Sequence, residues 1–183
     1  FDVKKNFEKA MEYIGGIVEN PDMYGYMSAV DNLKLFAKIR NINYSEVYKV
    51  LELVGLKKSM NQKVSKYSLG MKQRAGLALS LLHSPKVLIL DEPTNGLDPV
   101  GIKELRDILK KLARENGTAI LVSSHILSEM ELMCDKVAVI NQGKIVKVES
   151  LKENEEDNTN EVKTVQCVLK VKTPENAINI IKE

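Results

Sequence analysis

The sequence predicts an α/β fold in which a mainly parallel sheet is flanked by helices, and two patterns support this. Short runs of apolar residues at 87–90, 119–122 and 137–140 have the length and composition of buried parallel strands. Stretches with helical apolar spacing lie between these runs, as expected for βαβ units. Because the first run contains four consecutive branched apolar residues, we expect its strand to be buried on both faces.

The elements before this run are predicted in chain order. Residues 1–12 form a charged lead-in, and residues 13–18 read as a strand with two glycines. Ser28 begins a helix, because a serine followed three residues later by an acidic residue fits a capping pattern. Asn43 begins a second helix that Gly55 ends.

The elements after the run complete the alternation. Asp98 and Pro99 supply a cap and a first-turn proline for a long helix. Residues 126–133 predict a short helix and residues 144–148 an antiparallel edge strand. A polar linker over 151–163 precedes a strand at 165–171. Since one strand and one helix cannot bury a core, we expect 164–183 to begin an accessory segment or to form an appendage packed on the sheet.

Composition limits the classes of function. The chain has 183 residues and a net charge of +2, so no strong field favours nucleic acid as a partner. No apolar run approaches the roughly 18 residues of a membrane span, and no signal-peptide pattern opens the sequence. A role at a membrane would therefore require a partner.

Three polar side chains directly follow predicted strands, at positions where a ligand could bind. Asp91 and Glu92 directly follow the strand at 87–90, and His125 follows the strand at 119–122. The carboxyl ends of parallel strands line the ligand crevice of open α/β sheets, so we expect these side chains to be neighbours. A strand that ends in a solvated acidic turn is the alternative.

A helix start suited to an anion precedes that strand. Ser68 can cap the helix or direct its hydroxyl outward, and Gly70 lets backbone N–H groups approach a ligand closely. The positive end of the helix dipole favours a negatively charged group at the same place.

Together these stretches resemble the nucleotide-binding subunit of an ABC (ATP-binding cassette) transporter. Residues 67–71 are similar to the signature L-S-G-G-Q, with Tyr67, Leu69 and Met71 as departures. Residues 87–92 resemble Walker B with its catalytic glutamate, and residues 96–98 resemble the D-loop. The order and spacing of the motifs agree with that family.

The resemblance implies a P-loop NTPase-like ABC ATPase core over 1–150, with a helical subdomain at about 20–83. It also implies ATP and Mg²⁺ as cofactors and assigns roles to residues. Glu92 would activate the attacking water, His125 would be the switch histidine that contacts the γ-phosphate, and Asp98 would carry a signal across a dimer. Asp91 would hold Mg²⁺ through water. The nucleotide-binding residues would be Ser68, Leu69, Gly70 and Met71.

Two further features qualify the resemblance. Glu19 stands where the family has its Q-loop glutamine. A glutamate at this position resembles the subgroup of the family that exports or confers resistance to peptide antibiotics. Glu19 would approach Mg²⁺, unless it is an ordinary exposed glutamate. The Walker A pattern G-x-x-x-x-G-K-S/T does not occur in the 183 residues. We therefore expect the chain to be an N-terminally truncated fragment, inactive alone.

The implied function is ATP hydrolysis in a head-to-tail dimer with a second ABC ATPase subunit, identical or different. The dimer would power a separate membrane-spanning permease from the cytoplasmic face of the cell membrane. Candidates for the permease groove, or alternatively for ordinary core, are Met23, Tyr24, Tyr26 and Met27. An ABC protein of DNA repair or translation remains the alternative, although the interval between Q-loop and signature lacks a long coiled coil.

Overall fold

The computed structural model describes residues 2–18 and 21–151, and the backbone of residues 165–170. Helices and strands alternate along the chain, as the sequence predicts. In chain order, the elements are α1 (Phe7–Met11), β1 (Ile14–Ile17), α2 (Ala29–Ile39), α3 (Tyr44–Leu53), a 3₁₀ turn (Val64–Lys66), α4 (Leu69–Leu81), β2 (Val87–Asp91), α5 (Pro99–Glu115), β3 (Ala119–Ser124), α6 (Leu127–Met133), β4 (Lys136–Asn141), β5 (Lys144–Ser150) and β6 (Val165–Lys170).

The strands form one six-stranded sheet with the order β1-β2-β3-β6-β4-β5. All neighbouring pairs are parallel except β4 and β5, which are antiparallel. The α/β class and the antiparallel edge strand are therefore confirmed.

The strand predicted near the C-terminus lies inside this sheet. β6 pairs in parallel with β3 on one side and with β4 on the other. The predicted linker at 151–163 lies outside the described residues, apart from Leu151. The domain boundaries at 150 and 164 stay a prediction.

The expectation that residues 87–90 are buried on both faces is wrong. Leu88 and Leu90 are fully buried, whereas Ile89 between them is 40% exposed. Successive side chains of a strand point to opposite faces. Leu88 and Leu90 therefore enter a covered face of the sheet, and Ile89 enters a face that is partly open to solvent.

The predicted helix starts are confirmed by their caps. The Ser28 hydroxyl accepts the Asp31 N–H at 3.1 Å, and the Asn43 side chain accepts the Ser45 N–H at 2.9 Å. Asp98 accepts the Gly101 N–H at 2.8 Å. Each cap satisfies a donor that the first helical turn cannot pair internally, so short local sequence patterns define these boundaries.

Helices α2, α3 and α4 contact one another, and α4 also packs against β1. Leu33, Leu51 and Leu77, one from each helix, are at most 1% exposed. The contact between α4 and β1 is close, since a Cβ added to Gly15 would lie 2.2 Å from the Ser80 carbonyl oxygen. The helical layer is thereby fixed against the edge of the sheet. In the described part of the chain, no helix has the length and apolarity needed to cross a membrane.

Candidate functional site

The site begins with the pairing of two parallel strands. β2 and β3 run in register so that Asp91 lies opposite Ser123, and both strands end at the same edge of the sheet. Glu92 and His125 directly follow Asp91 and Ser124, the last residues of these strands. The structure therefore brings Asp91, Glu92 and His125 together, at the edge where the sequence places them.

The side chains of Glu92 and His125 lie within hydrogen-bond distance of each other. Glu92 Oε2 lies 2.9 Å from His125 Nδ1, and the imidazole is 59% exposed while the carboxylate side chain is 29% exposed. The Glu92 backbone has φ +46°, a left-handed conformation that is uncommon for residues other than glycine. Its amide donates to the Ser123 carbonyl oxygen and to the Ser123 hydroxyl, each at 3.1 Å. A carboxylate held in this way can accept a proton from a group that approaches from solvent.

Asp91 has a different partner. The Ser123 hydroxyl donates a short hydrogen bond to Asp91 Oδ1. Ser123 thus touches both acidic residues, through the side chain of Asp91 and the backbone of Glu92. The sequence predicts no role for Ser123, and its signal is a polar residue directly after the apolar run at 119–122.

The predicted anion-binding end is the start of α4. Ser68 caps this 13-residue helix by accepting the Met71 N–H at 3.3 Å, and Leu69 is 41% exposed. Arg74 reaches back from the next turn, with Nε donating to the Gly70 carbonyl oxygen at 3.3 Å. Its Nη1 also lies 3.2 Å from Glu104 Oε2 on α5. This link between two helices was not predicted, because it joins residues 30 positions apart.

The start of α4 lies against the turn that follows Glu92. Gly96 has φ +72°, and a Cβ built on it would lie 2.8 Å from Leu69 Cδ2. A Cβ on Gly70 would lie 3.6 Å from Leu97 Cδ2. Residues 69–70 and 96–97 are therefore neighbours, which places the predicted signature beside the predicted D-loop of the same chain. Asp98 itself caps α5.

Of the two residues predicted to hold Mg²⁺, the structure describes one. Asp91 lies at the sheet edge, whereas Glu19 lies outside the described residues. Among residues 2–18 and 21–151, no three histidine, cysteine or acidic side chains come together as a metal cluster. The carboxylate oxygens of Asp91 and Glu92 suit a hard cation such as Mg²⁺. A cation bound here would need further oxygen ligands, and a nucleotide's phosphates could supply them.

The fold and the site define the class of protein before any comparison is made. A mainly parallel sheet carries an acidic pair at its carboxyl edge, and a buried helix presents its N-terminus beside the following turn. This arrangement is that of nucleotide-binding α/β proteins.

Comparison with known proteins narrows the class. A family model matches residues 2–131. The description of that family names an AAA domain, the AbiEii toxin and the type IV TA system. YhcH of Bacillus subtilis (strain 168), an uncharacterized ABC transporter ATP-binding protein, is 54% identical over 158 residues, which cover 85% of this chain and 52% of YhcH. The bacitracin transport ATP-binding protein BcrA of Enterococcus faecalis is 46% identical over 151 residues, covering 82% of this chain and 49% of BcrA.

A solved structure agrees with these relatives. The structure of cbiO1 from Clostridium perfringens, part of the ABC transporter complex cbiONQ, superposes with a TM-score of 0.75 at 28% identity, covering 81% of this chain and 61% of cbiO1. The match over residues 2–131 shows that the chain belongs to the AAA-domain family, and its similarity to the ABC transporter ATP-binding protein YhcH extends over 85% of this chain. It spans about half the length of the curated relatives described above.

Proposed function

We propose that this chain forms part of the ATP-hydrolysing subunit of an ABC transporter, with Glu92 and His125 at the hydrolytic centre. The contact of 2.9 Å between Glu92 Oε2 and His125 Nδ1 carries the proposal. A general base must be held in place and remain within reach of the proton that it takes. The Glu92 carboxylate meets both conditions, because His125 orients it and solvent reaches it.

In this proposal, Glu92 accepts a proton from the water that attacks the terminal phosphate. Its negative charge also orients His125 through Nδ1, which directs the other imidazole nitrogen away from the carboxylate. That nitrogen is the group suited to contact the γ-phosphate and to respond to its loss.

Asp91 and Glu19 are the proposed contributors to a Mg²⁺ site. Ser123 fixes one oxygen of the Asp91 carboxylate, and a carboxylate can hold hydrated Mg²⁺ through a water molecule. Mg²⁺ held here would neutralise part of the charge of the phosphates. Glu19 would add a second negative charge, where a Q-loop glutamine would be neutral.

The start of α4 is the proposed contact for ATP bound to a second, partner cassette. The backbone N–H groups at a helix N-terminus bind anions, and Leu69 at this end is partly open to solvent. Two cassettes arranged head to tail would each present this surface to the other, with Asp98 near the dimer boundary. The residues assigned to the nucleotide are Ser68, Leu69, Gly70 and Met71.

The proposed membrane partner is a separate permease, which would hold the subunit at the cytoplasmic face of the cell membrane. Tyr24 and Tyr26 are 49% and 70% exposed, and their ring centroids lie 5.8 Å apart. Met23 packs against the core instead. The two tyrosines therefore support the groove interpretation, and Met23 the core interpretation. The name of BcrA, together with Glu19, favours a peptide antibiotic as the transported substrate.

The direct test is ATP hydrolysis by a full-length subunit that contains a Walker A loop. A positioned general base contributes about 10²- to 10⁴-fold in rate, so Glu92→Gln is expected to slow turnover by that factor while ATP binding survives. The matched control is Glu115→Gln, which changes the last residue of α5 and should keep more activity than Glu92→Gln. Equal turnover in the unmodified protein and in Glu92→Gln would refute the assignment of the base.

A further inference from the structure

The hydroxyl of Ser123 joins two residues that the proposed reaction uses separately. It donates to Asp91 Oδ1 and accepts the Glu92 N–H at 3.1 Å, a donor that it shares with the Ser123 carbonyl oxygen. A serine hydroxyl has one proton and two lone pairs, so both bonds can exist together. Since β2 and β3 are in register at Asp91 and Ser123, the sheet itself delivers the hydroxyl to this place.

We propose that Ser123 is a positioning residue, which fixes the Asp91 carboxylate and the Glu92 backbone through one hydroxyl. This inference rests on the proposed function, since it concerns the same site. The bond to Asp91 Oδ1 restricts rotation of the carboxylate and leaves Oδ2 as the oxygen for a hydrated cation. The bond from the Glu92 amide helps to hold φ at +46°, and that backbone angle sets the direction of the carboxylate toward His125.

A purely structural role for Ser123 is the competing explanation. A hydroxyl at a strand end can satisfy neighbouring polar groups without affecting any reaction. The two explanations differ in what the removal of the hydroxyl does. A positioning role predicts a change in metal dependence together with faster exchange of the Glu92 amide, whereas a structural role predicts a loss of stability with turnover and metal dependence unchanged.

Three variants of a full-length subunit separate these roles. Ser123→Ala removes the hydroxyl, Ser123→Thr retains it, and Ser123→Cys keeps the shape with a weak donor. Ser80→Ala is the control, because Ser80 is a buried serine outside the site whose hydroxyl donates to the Leu77 carbonyl oxygen within α4, whereas Ser123 is partly buried.

The expected result has two independent parts. Ser123→Ala should lower turnover about ten- to hundredfold, the usual effect of losing a hydrogen bond to a charged group, and should raise the Mg²⁺ concentration needed for half-maximal turnover. Hydrogen exchange of the Glu92 amide, followed by NMR without nucleotide, should become faster in the same variant. Ser123→Thr should restore both properties, and Ser123→Cys should be intermediate.

Each outcome bears on one claim. If Ser123→Ala matches Ser80→Ala in turnover, metal dependence and Glu92 exchange, the positioning role is wrong. If Ser123→Ala fails to fold, the same comparison between Ser123→Thr and Ser123→Cys decides. An unmodified subunit that hydrolyses no ATP would overturn the proposed function, while the exchange of the Glu92 amide would still report whether Ser123 holds that residue.

Discussion

At the scale of single residues, Asp91 and Glu92 are adjacent in the chain but contact different partners. The Asp91 carboxylate accepts a hydrogen bond from Ser123, and the Glu92 carboxylate faces His125. The strand ends at Asp91, and Glu92 then takes a left-handed conformation that turns its side chain away from the strand direction. Two neighbouring acidic groups can therefore serve two chemical roles.

These contacts predict opposite effects of two isosteric substitutions on dimer formation in a full-length subunit. Glu92→Gln would remove a negative charge near the proposed triphosphate site and would slow the hydrolysis that ends the ATP-bound state, so the closed ATP-bound dimer should accumulate. Asp91→Asn should reduce that dimer, because the charge of the phosphates must be neutralised by the cation before two cassettes can meet. Gel filtration with Mg-ATP measures both yields.

The comparison has its own control. Asp107 is an acidic residue on α5 outside the site, so Asp107→Asn should give the same dimer yield as the unmodified protein. Equal yields for Asp91→Asn and Glu92→Gln would contradict the division of roles.

At the scale of elements, the contact between β1 and α4 limits which side chains are possible. A Cβ on Gly15 would meet the Ser80 carbonyl oxygen at 2.2 Å, and backbone cannot move aside as a flexible side chain can. Gly15→Ala should therefore destabilise the chain by about 1–3 kcal/mol, the usual cost of overpacking. Urea unfolding of the two proteins measures the difference.

Gly25→Ala is the matched control for this substitution. The nearest atom to its added Cβ would be Ser65 Cβ at 3.6 Å, an ordinary van der Waals contact. If the two variants lose the same stability, the packing of β1 on α4 is looser than the structure indicates.

The same pair of elements predicts a dependence of stability on pH. His83 follows α4, and its Nε2 lies 3.0 Å from the Ile14 carbonyl oxygen of β1. Burial lowers the pKa of His83 below the ordinary value of 6.5. The hydrogen bond to Ile14 raises this pKa and the nearby charge of Arg40 lowers it, and the net shift is downward. The neutral imidazole is thus favoured in the folded state.

The sign of the effect follows from proton binding. The unfolded chain binds a proton more readily at this histidine, so the stability contribution is present above pH 6.5 and is lost as pH falls through the lower folded pKa. Urea unfolding at about pH 8 and about pH 5.5 should show a smaller pH dependence for His83→Gln than for the unmodified chain. In Arg40→Gln, an NMR titration should place the pKa of His83 closer to 6.5. Unchanged pH dependence in His83→Gln would count against this assignment.

The elements also show which features the sequence could predict. Caps such as Ser28, Asn43 and Asp98 act within a few residues, so local patterns identified them. The exposure of Ile89 depends on which helices cover the sheet, and the bonds of Ser123 depend on strand register. Those are properties of pairing between distant parts of the chain, and no local pattern contains them.

At the scale of the whole molecule, the proposed site is divided between two surfaces. Asp91, Glu92 and His125 lie at the carboxyl ends of β2 and β3, and the start of α4 lies against residues 96–97. The order of the motifs in the sequence predicted both groups of site residues. The packing of Leu69 beside Gly96 is visible only in the folded structure. If the start of α4 acts on ATP held by a partner, the two groups serve different nucleotides.

Substitution of Ser68 distinguishes an action in trans from one in cis. In a full-length subunit, Ser68→Arg should leave ATP binding to the monomer nearly unchanged and abolish ATP-dependent dimerisation, because a large cation would occupy the surface that receives the partner's phosphate. Ser68→Ala is the matched control, since it removes only the cap, at about 1 kcal/mol, and should retain part of the dimer. Calorimetry measures the monomer's affinity and gel filtration the dimer. If monomer affinity falls as much as dimerisation does, Ser68 contacts the nucleotide of its own chain and the trans assignment is wrong.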